Sequence, residues 1–292
     1  MKARGRLGDR GIGAGCAPID PTTVLGQLQD LLSASDCPAD AVAVGGSKRD
    51  ESDDIHSDLD LFVFCGDGAL GACIGYFSSW VMEIAPDAVR HGPFLRDGFG
   101  LAYRFARGAS FPIELFLMFE SAWSAHPAAA KSRFIFAPGV EGQKWVNRSR
   151  ELAGRPAQAE YICDYIANTF FAYLEKITKY DERGELAGAA YYFLKASSIL
   201  ISARLSLECD AIFDPDFAIR KVRQIDANSI RASADTLILS ALQRCGPDLS
   251  VLIGEAASVM RQLDALCDRK LETQLETWET QLDARPRGAD HE

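Results

Sequence analysis

Two aspartates with strand spacing, Asp58 and Asp60, begin an apolar stretch that ten residues separate from a Gly45-Gly46-Ser47 run. Residues i and i+2 of a strand lie on the same side, about 6.6 Å apart, so that both carboxylates face one way. Two like charges about 4 Å apart repel by about 4 kcal/mol at an effective dielectric constant near 20, and a converging pair therefore requires a cation. Mg²⁺ prefers carboxylate, water and phosphate oxygens. The spacing predicts an incomplete Mg²⁺ site, which the phosphates of a nucleotide complete.

The glycine run follows a short apolar segment, residues 41–44, which predicts a buried strand that ends in a turn. Glycine adopts positive φ and places no Cβ between the backbone and a ligand. Backbone N–H groups in such a loop bind phosphate oxygens, and the Ser47 hydroxyl lies beside them. Lys48 follows with a charge that suits a triphosphate. We therefore predict nucleotide contacts from Gly45, Gly46, Ser47 and Lys48.

A third carboxylate, Glu114, is embedded in the apolar segment 111–118. An ionisable group between large apolar residues is costly to bury without a partner. Residues 101–106 and the turn at 107–110 predict a hairpin that leads into this strand. If the strand neighbours the one that carries Asp58, Glu114 lies beside the aspartates. Three carboxylates could then hold two metal ions for an in-line displacement.

Each of these motifs is common when it occurs alone. Asp-x-Asp usually marks a turn or a solvated strand edge, and Gly-Gly-Ser is usually only a loop. Together, in this order and between apolar strands, they indicate metal-dependent nucleotidyl transfer. The set Gly46-Ser47, Asp58-Leu59-Asp60 and Ile113-Glu114-Leu115 resembles the signature of the DNA polymerase β-like nucleotidyltransferase superfamily. Within it, the chain looks like the antibiotic nucleotidyltransferases that adenylylate aminoglycosides or lincosamides.

This resemblance covers about residues 22–150 by motif and assigns a role to each matching position. It implies that Ser47 contacts the terminal phosphates of ATP or another nucleoside triphosphate. It implies that Asp58 and Asp60 bind Mg²⁺, and that Glu114 is either the third metal ligand or the base that acts on the acceptor hydroxyl. One departure is the acidic run at residues 50–54, where many relatives begin an Arg-rich helix.

The periodicity of apolar residues changes after about residue 150 and predicts an α+β chain. We predict a disordered leader (residues 1–20), a nucleotidyltransferase domain with a mixed sheet flanked by helices (21–150), a helical acceptor-binding bundle (151–284) and a frayed tail (285–292). Within the first domain we predict helices at 22–32 and 71–84 and a short strand at 134–136. Within the bundle we predict helices that begin at 157, 186 and 230, and one long helix from 252 to 278.

The bundle would supply the other wall of a cleft and select the acceptor. Glu160 resembles, in placement, the helical-domain base of some aminoglycoside enzymes, and the alternative is an ordinary surface carboxylate. Asp164, one turn later, is an equal rival. The remaining candidates are of two kinds. The cations either reach a triphosphate or are solvated: Lys195, Arg220 and Lys221. The aromatic residues either form the core or stack on adenine: Phe170, Phe171, Tyr173, Tyr191 and Tyr192.

Composition narrows the class of partner and the compartment. A net charge of −10 argues against a nucleic-acid substrate, which is bound by neutralising phosphates, and favours a cationic small molecule. No apolar stretch approaches the roughly 18 residues of a membrane span, and residues 1–15 lack the apolar segment of a secretory signal. The eight cysteines show no zinc-type spacing, so we predict reduced core cysteines in a cytoplasmic protein.

These observations predict a Mg²⁺-dependent adenylyltransferase that moves AMP from ATP to a hydroxyl of a small molecule and releases pyrophosphate. By resemblance, the acceptor is an aminoglycoside- or lincosamide-type antibiotic, which implies antibiotic resistance. Two alternatives stay open. One is a nucleotidyltransferase that acts on a protein or in a toxin–antitoxin pair, and the other is a non-catalytic nucleotide-binding module.

Overall fold

The computed structural model describes residues 21–34, 36–46, 58–96, 100–107, 110–121, 127–216, 218–243 and 246–284. The predicted leader and tail, together with Ser47, Lys48 and the acidic run, lie outside the described residues. The chain divides into two compact units. Unit 1 comprises Met1–Ser124 and Ser132–Asn147, and unit 2 comprises Ala125–Lys131 and Arg148–Glu292.

The described part of unit 1 contains a six-stranded mixed sheet. Its strands are β1 (Ala41–Val44), β2 (Leu59–Cys65), β3 (Val89–Arg96), β4 (Gly100–Arg107), β5 (Ser110–Phe119) and β6 (Arg133–Phe136). The strand order is β3-β4-β5-β2-β1-β6, and β2 and β5 run parallel while the other neighbours are antiparallel. The parallel pair lies in the middle of the sheet, so each of its strands is hydrogen-bonded on both sides.

The alternation of side chains along β2 and β5 gives the sheet two different faces. On one face, Leu59, Leu61, Ile113 and Leu115 form a core with the residues of two helices. These helices are α1 (Pro21–Ala34) and α2 (Leu70–Ile84), the latter preceded by a 3-10 turn at Asp67–Ala69. On the other face, the rings of Phe62 and Phe116 stack with centroids 5.0 Å apart. Asp60 and Glu114 therefore lie on the face opposite to α1 and α2.

A helix that the sequence did not predict, α4 (Gly139–Leu152), contributes to the aromatic face. The ring of Trp145 lies 5.3 Å from that of Phe64, and the indole N–H donates to Asp40 Oδ2 at 3.3 Å. The change from unit 1 to unit 2 falls within α4, after Asn147. The helix was missed because most of its residues are polar and its N-terminal part follows the Pro138-Gly139 loop.

The secondary-structure elements of the described part of unit 2 are all helical. Its elements are α3 (Pro127–Ala130), α5 (Arg155–Tyr165), a π-helical segment (Ile166–Phe170), α6 (Phe171–Glu182), α7 (Leu186–Glu208), α8 (Ala218–Val222), α9 (Asn228–Ala241), α10 (Leu249–Asp264) and α11 (Leu271–Asp283). The buried apolar side chains of all these elements except α3 form one core. The predicted α+β class, with a mixed sheet flanked by helices and a helical C-terminal part, is confirmed.

Helix α7 has the composition of a core helix. Among the described residues, it alone has the length and apolar content of a membrane span, with a mean hydropathy of 1.3 over 18 residues. The expectation that no segment has these properties is therefore wrong for α7. However, 56% of that window is buried inside the structure, and Phe193 and Leu200 are completely buried. A mostly buried helix of this kind is compatible with a soluble protein.

The predicted long helix over residues 252–278 is wrong, because the chain forms two helices there. Helix α10 ends at Asp264, and Lys270 has a φ of +51°, which α-helical backbone does not permit. The Asp264 carboxylate accepts the backbone N–H groups of Leu271 (2.7 Å) and Glu272 (3.1 Å). It thereby satisfies the first donors of α11 from the end of the preceding helix.

We expect Asp264→Ala to lower the free energy of unfolding by about 1 kcal/mol, which is the usual contribution of a helix-capping side chain. Urea denaturation followed by circular dichroism measures the loss. The control is Asp283→Ala at the last residue of α11, where the helix dipole disfavours a carboxylate and its removal should not destabilise. Equal losses in the two variants would contradict the capping role.

The cysteines divide into two groups. Cys163 and Cys267 are joined as a disulfide within unit 2, so the expectation of reduced cysteines is wrong for this pair. Cys65 and Cys73 are buried in unit 1 as free thiols. A hydrogen bond to Cys65 and burial both raise the pKa of the Cys73 thiol, which keeps it protonated and unreactive at neutral pH.

Candidate active site

The parallel pairing of β2 and β5 brings the predicted acids into one place. Asp60 and Glu114 are direct partners in the strand register, and in-register neighbours lie on the same face of a sheet, about 4.8 Å apart. Asp58 immediately precedes β2, is exposed to solvent, and is two residues from Asp60. We call Asp58, Asp60 and Glu114 the carboxylate row. The condition that the sequence left open, adjacency of the two strands, is met.

The two glycines pack directly against this row. The Gly45 N–H donates to the Asp60 carbonyl oxygen at 2.9 Å, and Gly46 has a φ of +60°. A Cβ added at Gly46 would overlap Asp60 Oδ2, and one added at Gly45 would overlap the ring of Phe62. The absence of both side chains therefore allows the loop backbone to lie against the Asp60 carboxylate. Ser47 and Lys48, which follow, are outside the described residues.

Sequence reasoning did not assign a role to Arg104, a cation that lies beside Glu114. It is the register partner of Glu114 on β4, and its Nε lies 2.8 Å from Glu114 Oε1. The Glu114 side chain is 14% exposed and that of Arg104 is 35% exposed, so this ion pair is partly shielded from water. His91 on β3 is in turn the register partner of Arg104. The register thus aligns four ionisable residues across four neighbouring strands: His91, Arg104, Glu114 and Asp60.

The three carboxylates do not by themselves complete a metal site. In the described ranges, no group of three His, Cys, Asp or Glu side chains converges so as to hold a metal ion. Asp58 and Asp60, two residues apart at the start of β2, are nevertheless two carboxylates that can donate oxygen, and Gly46 lies against Asp60 Oδ2 because it has no Cβ. Mg²⁺ is often bound by one or two carboxylates together with water and substrate phosphates. The residues therefore fit a Mg²⁺ ion that binds together with a nucleotide.

The candidates of unit 2 lie on its surface or in its core. Glu160 is exposed on α5, and Asp164, one turn later, is paired with Arg269. Lys195 pairs with Asp216 at 3.0 Å, and this hydrogen bond raises the pKa of the lysine. Each of these side chains belongs to unit 2.

The other candidates of unit 2 differ in their exposure to solvent. Lys221 lies 3.4 Å from Asp214. Phe170 is completely buried in the core, whereas Tyr191 is 56% exposed as a residue and its ring packs edge-on against Tyr192. Core packing therefore accounts for Phe170, and Tyr191 is the exposed member of the aromatic set.

Comparison with known proteins gives little further information. A scan against protein-family models finds no match for this chain, and a search of curated proteins finds no similar sequence. Among solved structures, a nucleotidyltransferase-like protein from Exiguobacterium sibiricum is similar over 91% of this chain and 81% of its own, at 13% identity and a TM-score of 0.38. A likeness this distant supports no conclusion about activity, so the case for a function rests on the geometry of the carboxylate row.

Proposed function

We propose that the chain is a Mg²⁺-dependent nucleotidyltransferase that transfers a nucleoside monophosphate to a hydroxyl of a small molecule and releases pyrophosphate. ATP is the proposed donor. The observation that carries the proposal is the in-register pair of Asp60 and Glu114, with the Gly45-Gly46 backbone packed against Asp60. This arrangement places two carboxylates, which can bind a cation, next to a loop whose backbone a phosphate can approach closely.

In this proposal each residue has a defined role. Asp58 and Asp60 hold Mg²⁺, which when bound neutralises the charge of the phosphates and polarises the reacting phosphorus centre. The glycine loop, with Ser47 and Lys48 beyond it, orients the triphosphate. Glu114 is either a further metal ligand or the base that accepts the proton of the acceptor hydroxyl. Glu160 on α5 is the alternative base.

The nature of the acceptor follows from charge and resemblance. A chain with a net charge of −10 attracts cations, which supports an aminoglycoside- or lincosamide-type acceptor in the cytoplasm and disfavours nucleic acid. Catalysis in such a site consists mainly of positioning and charge stabilisation. Residues that hold the reactants therefore matter more than a reactive nucleophile of the protein.

The test is pyrophosphate release by the purified chain with Mg²⁺, each nucleoside triphosphate and a panel of aminoglycosides and lincosamides. We expect release that requires both Mg²⁺ and one class of acceptor, with a nucleotide adduct of that acceptor in the mass spectrum. Omission of the acceptor is the control. Labelling of lysate proteins in place of small molecules would favour the protein-modifying alternative, and no release with any combination would favour a non-catalytic module.

A further inference from the structure

A groove lies in unit 1 on the side of the sheet opposite to the carboxylate row. It is formed by one face of α2, the last turn of α1 and the segment that follows α1, and its volume is about 510 Å³. Helices α1 and α2 cover the face of the sheet that does not carry Asp60 and Glu114. The groove is therefore separate from the candidate active site, and an inference about it does not depend on the proposed function.

Small residues along one face of α2 leave this space open. Ala72, Gly75 and Ser79 are three or four residues apart, which places them on the same side of the helix. A Cβ added at Gly75 would have no atom within 4 Å. Tyr76 and Trp80 also line the groove and give it aromatic surface. Its volume is in the range of pockets that bind small organic molecules.

One hydrogen-bond donor of a lining residue has no partner. Trp80 is 4% exposed, and its buried Nε1–H meets no acceptor among the described residues. By contrast, the buried indole of Trp145 donates to Asp40 Oδ2 at 3.3 Å. A buried donor without a partner destabilises the folded state, and proteins satisfy the great majority of such groups. The Trp80 indole therefore indicates that a molecule held in the groove supplies the acceptor.

The groove also has an acidic rim. Asp36 and Glu83 line it and are exposed, and neither forms an ion pair within the described part of the chain. Its described lining includes no lysine, arginine or histidine. Leu31 and Pro38 add apolar surface beside the acids. A positive charge on an apolar body matches this combination, because the carboxylates and the aromatic rings both attract a cation.

We propose that this groove is a binding site for an organic cation that has an apolar body and an oxygen acceptor for the Trp80 indole. The positive charge of the ligand lies near Asp36 and Glu83, and its apolar body fills the space above Gly75. The nucleotide of the candidate active site carries negative charge, so the acidic rim disfavours it here.

A single water molecule at the indole is the competing explanation, because buried waters commonly satisfy such groups. Three probes that differ in one group each decide between the two explanations. Phenylalaninamide has a positive charge at about pH 6, an apolar ring and a carbonyl oxygen. The compound 2-phenylethylamine lacks the carbonyl group, and N-acetylphenylalaninamide lacks the charge.

The first experiment follows the indole N–H resonances of the full ¹⁵N-labelled chain during titration with each probe, and Trp80→Phe identifies the resonance of Trp80. We expect phenylalaninamide to shift this resonance downfield with a Kd in the millimolar range, which is usual for a ligand of its size. The probe without the carbonyl group should bind about 2- to 10-fold more weakly, as loss of one hydrogen bond does. No shift at about 10 mM phenylalaninamide, or equal binding of all three probes, would overturn the proposal.

The second experiment fills the groove from α2. Gly75→Leu should weaken binding of phenylalaninamide about 10-fold or more, since the new side chain occupies the open space and close-packed atoms cannot overlap. The helix should be kept, because leucine is a better helix former than glycine. Gly71→Leu is the matched control: Gly71 is on the same helix, has equally open space at its Cβ and does not line the groove. Unchanged binding in Gly75→Leu, or equal losses in both variants, would contradict the proposed site.

The third experiment removes the acidic rim. Asp36→Asn combined with Glu83→Gln should weaken the two cationic probes about 2- to 5-fold, as expected for exposed charge pairs, and leave the neutral probe unchanged. Asp30→Asn, which removes an exposed carboxylate of α1 outside the groove, should change none of them. An equal effect of Asp30→Asn would show that only the net charge matters and would refute the role of the rim. Calorimetric titration gives the same affinities if Trp80→Phe does not fold.

Discussion

Asp60→Asn is expected to reduce turnover about 10³-fold, because a bound metal supplies several kcal/mol of charge stabilisation and each 1.36 kcal/mol is a factor of ten in rate. The free energy of unfolding should not fall. Asp60 lies beside Glu114 in the register and two residues from Asp58, so the substitution removes repulsion between like charges. Pyrophosphate release measures the first effect, and thermal denaturation without metal measures the second.

The control for this substitution is Asp30→Asn, which removes a carboxylate from the exposed side of α1 in the same unit. It should leave kcat unchanged. Asp58→Asn should resemble Asp60→Asn, since both carboxylates hold the same ion in the proposed site. An Asp60→Asn protein with undiminished activity would refute the assignment of Asp60, and a large loss of stability would show that its carboxylate is structural.

Strands β1 and β2 were predictable from the sequence, but the adjacency of β2 and β5 was not. Residues 41–44 form β1 as predicted, and the predicted strand from residue 58 is observed as β2, Leu59–Cys65. The apolar composition of these two segments and the glycines beside them are enough to predict both strands. The parallel contact of β2 with β5 depends on how α2, β3 and β4 return the chain to the centre of the sheet. No local pattern encodes that return.

The ion pair of Arg104 and Glu114 could not be predicted because one extra residue decides it. At the end of the hairpin, Arg107 is paired with Ser110. A regular ladder from this pair would place Arg104 opposite Ile113, on the other face of the sheet. A register shift between Phe105 and Arg107 instead pairs Arg104 with Glu114. A shift of one residue moves every following side chain to the other face, and bulges of this kind have a weak sequence signal.

The missed elements have similar physical causes. Strand β3 contains Gly92 and Pro93, both depleted in strands, and it lies at the edge of the sheet, where proline is tolerated. Helix propensity over residues 252–278 is continuous enough to predict one helix, whereas the break after Asp264 depends on a side chain that caps the next helix. Local pattern therefore predicts the existence of elements better than their ends.

Gly46→Ala is expected to reduce turnover roughly 10²-fold or more, since a displacement of about 1 Å at a reacting centre has that effect. The new Cβ would overlap Asp60 Oδ2 and push the carboxylate out of its position. The φ of +60° adds a backbone cost of about 1–2 kcal/mol for a residue with a Cβ. Pyrophosphate release and Mn²⁺ affinity measure the displacement, and urea denaturation measures the backbone cost.

Gly139→Ala separates these two effects. Gly139 has a φ of +64° in the same unit, and no atom lies within 4 Å of a Cβ added there. It should therefore show the loss of stability without the loss of turnover or of Mn²⁺ affinity. Equal turnover in the two variants would mean that the approach of Gly46 to Asp60 is a packing feature alone. If Gly46→Ala alone loses Mn²⁺ affinity, the absence of a Cβ at Gly46 fixes the position of the Asp60 carboxylate, because Gly46 and Gly139 have the same backbone conformation.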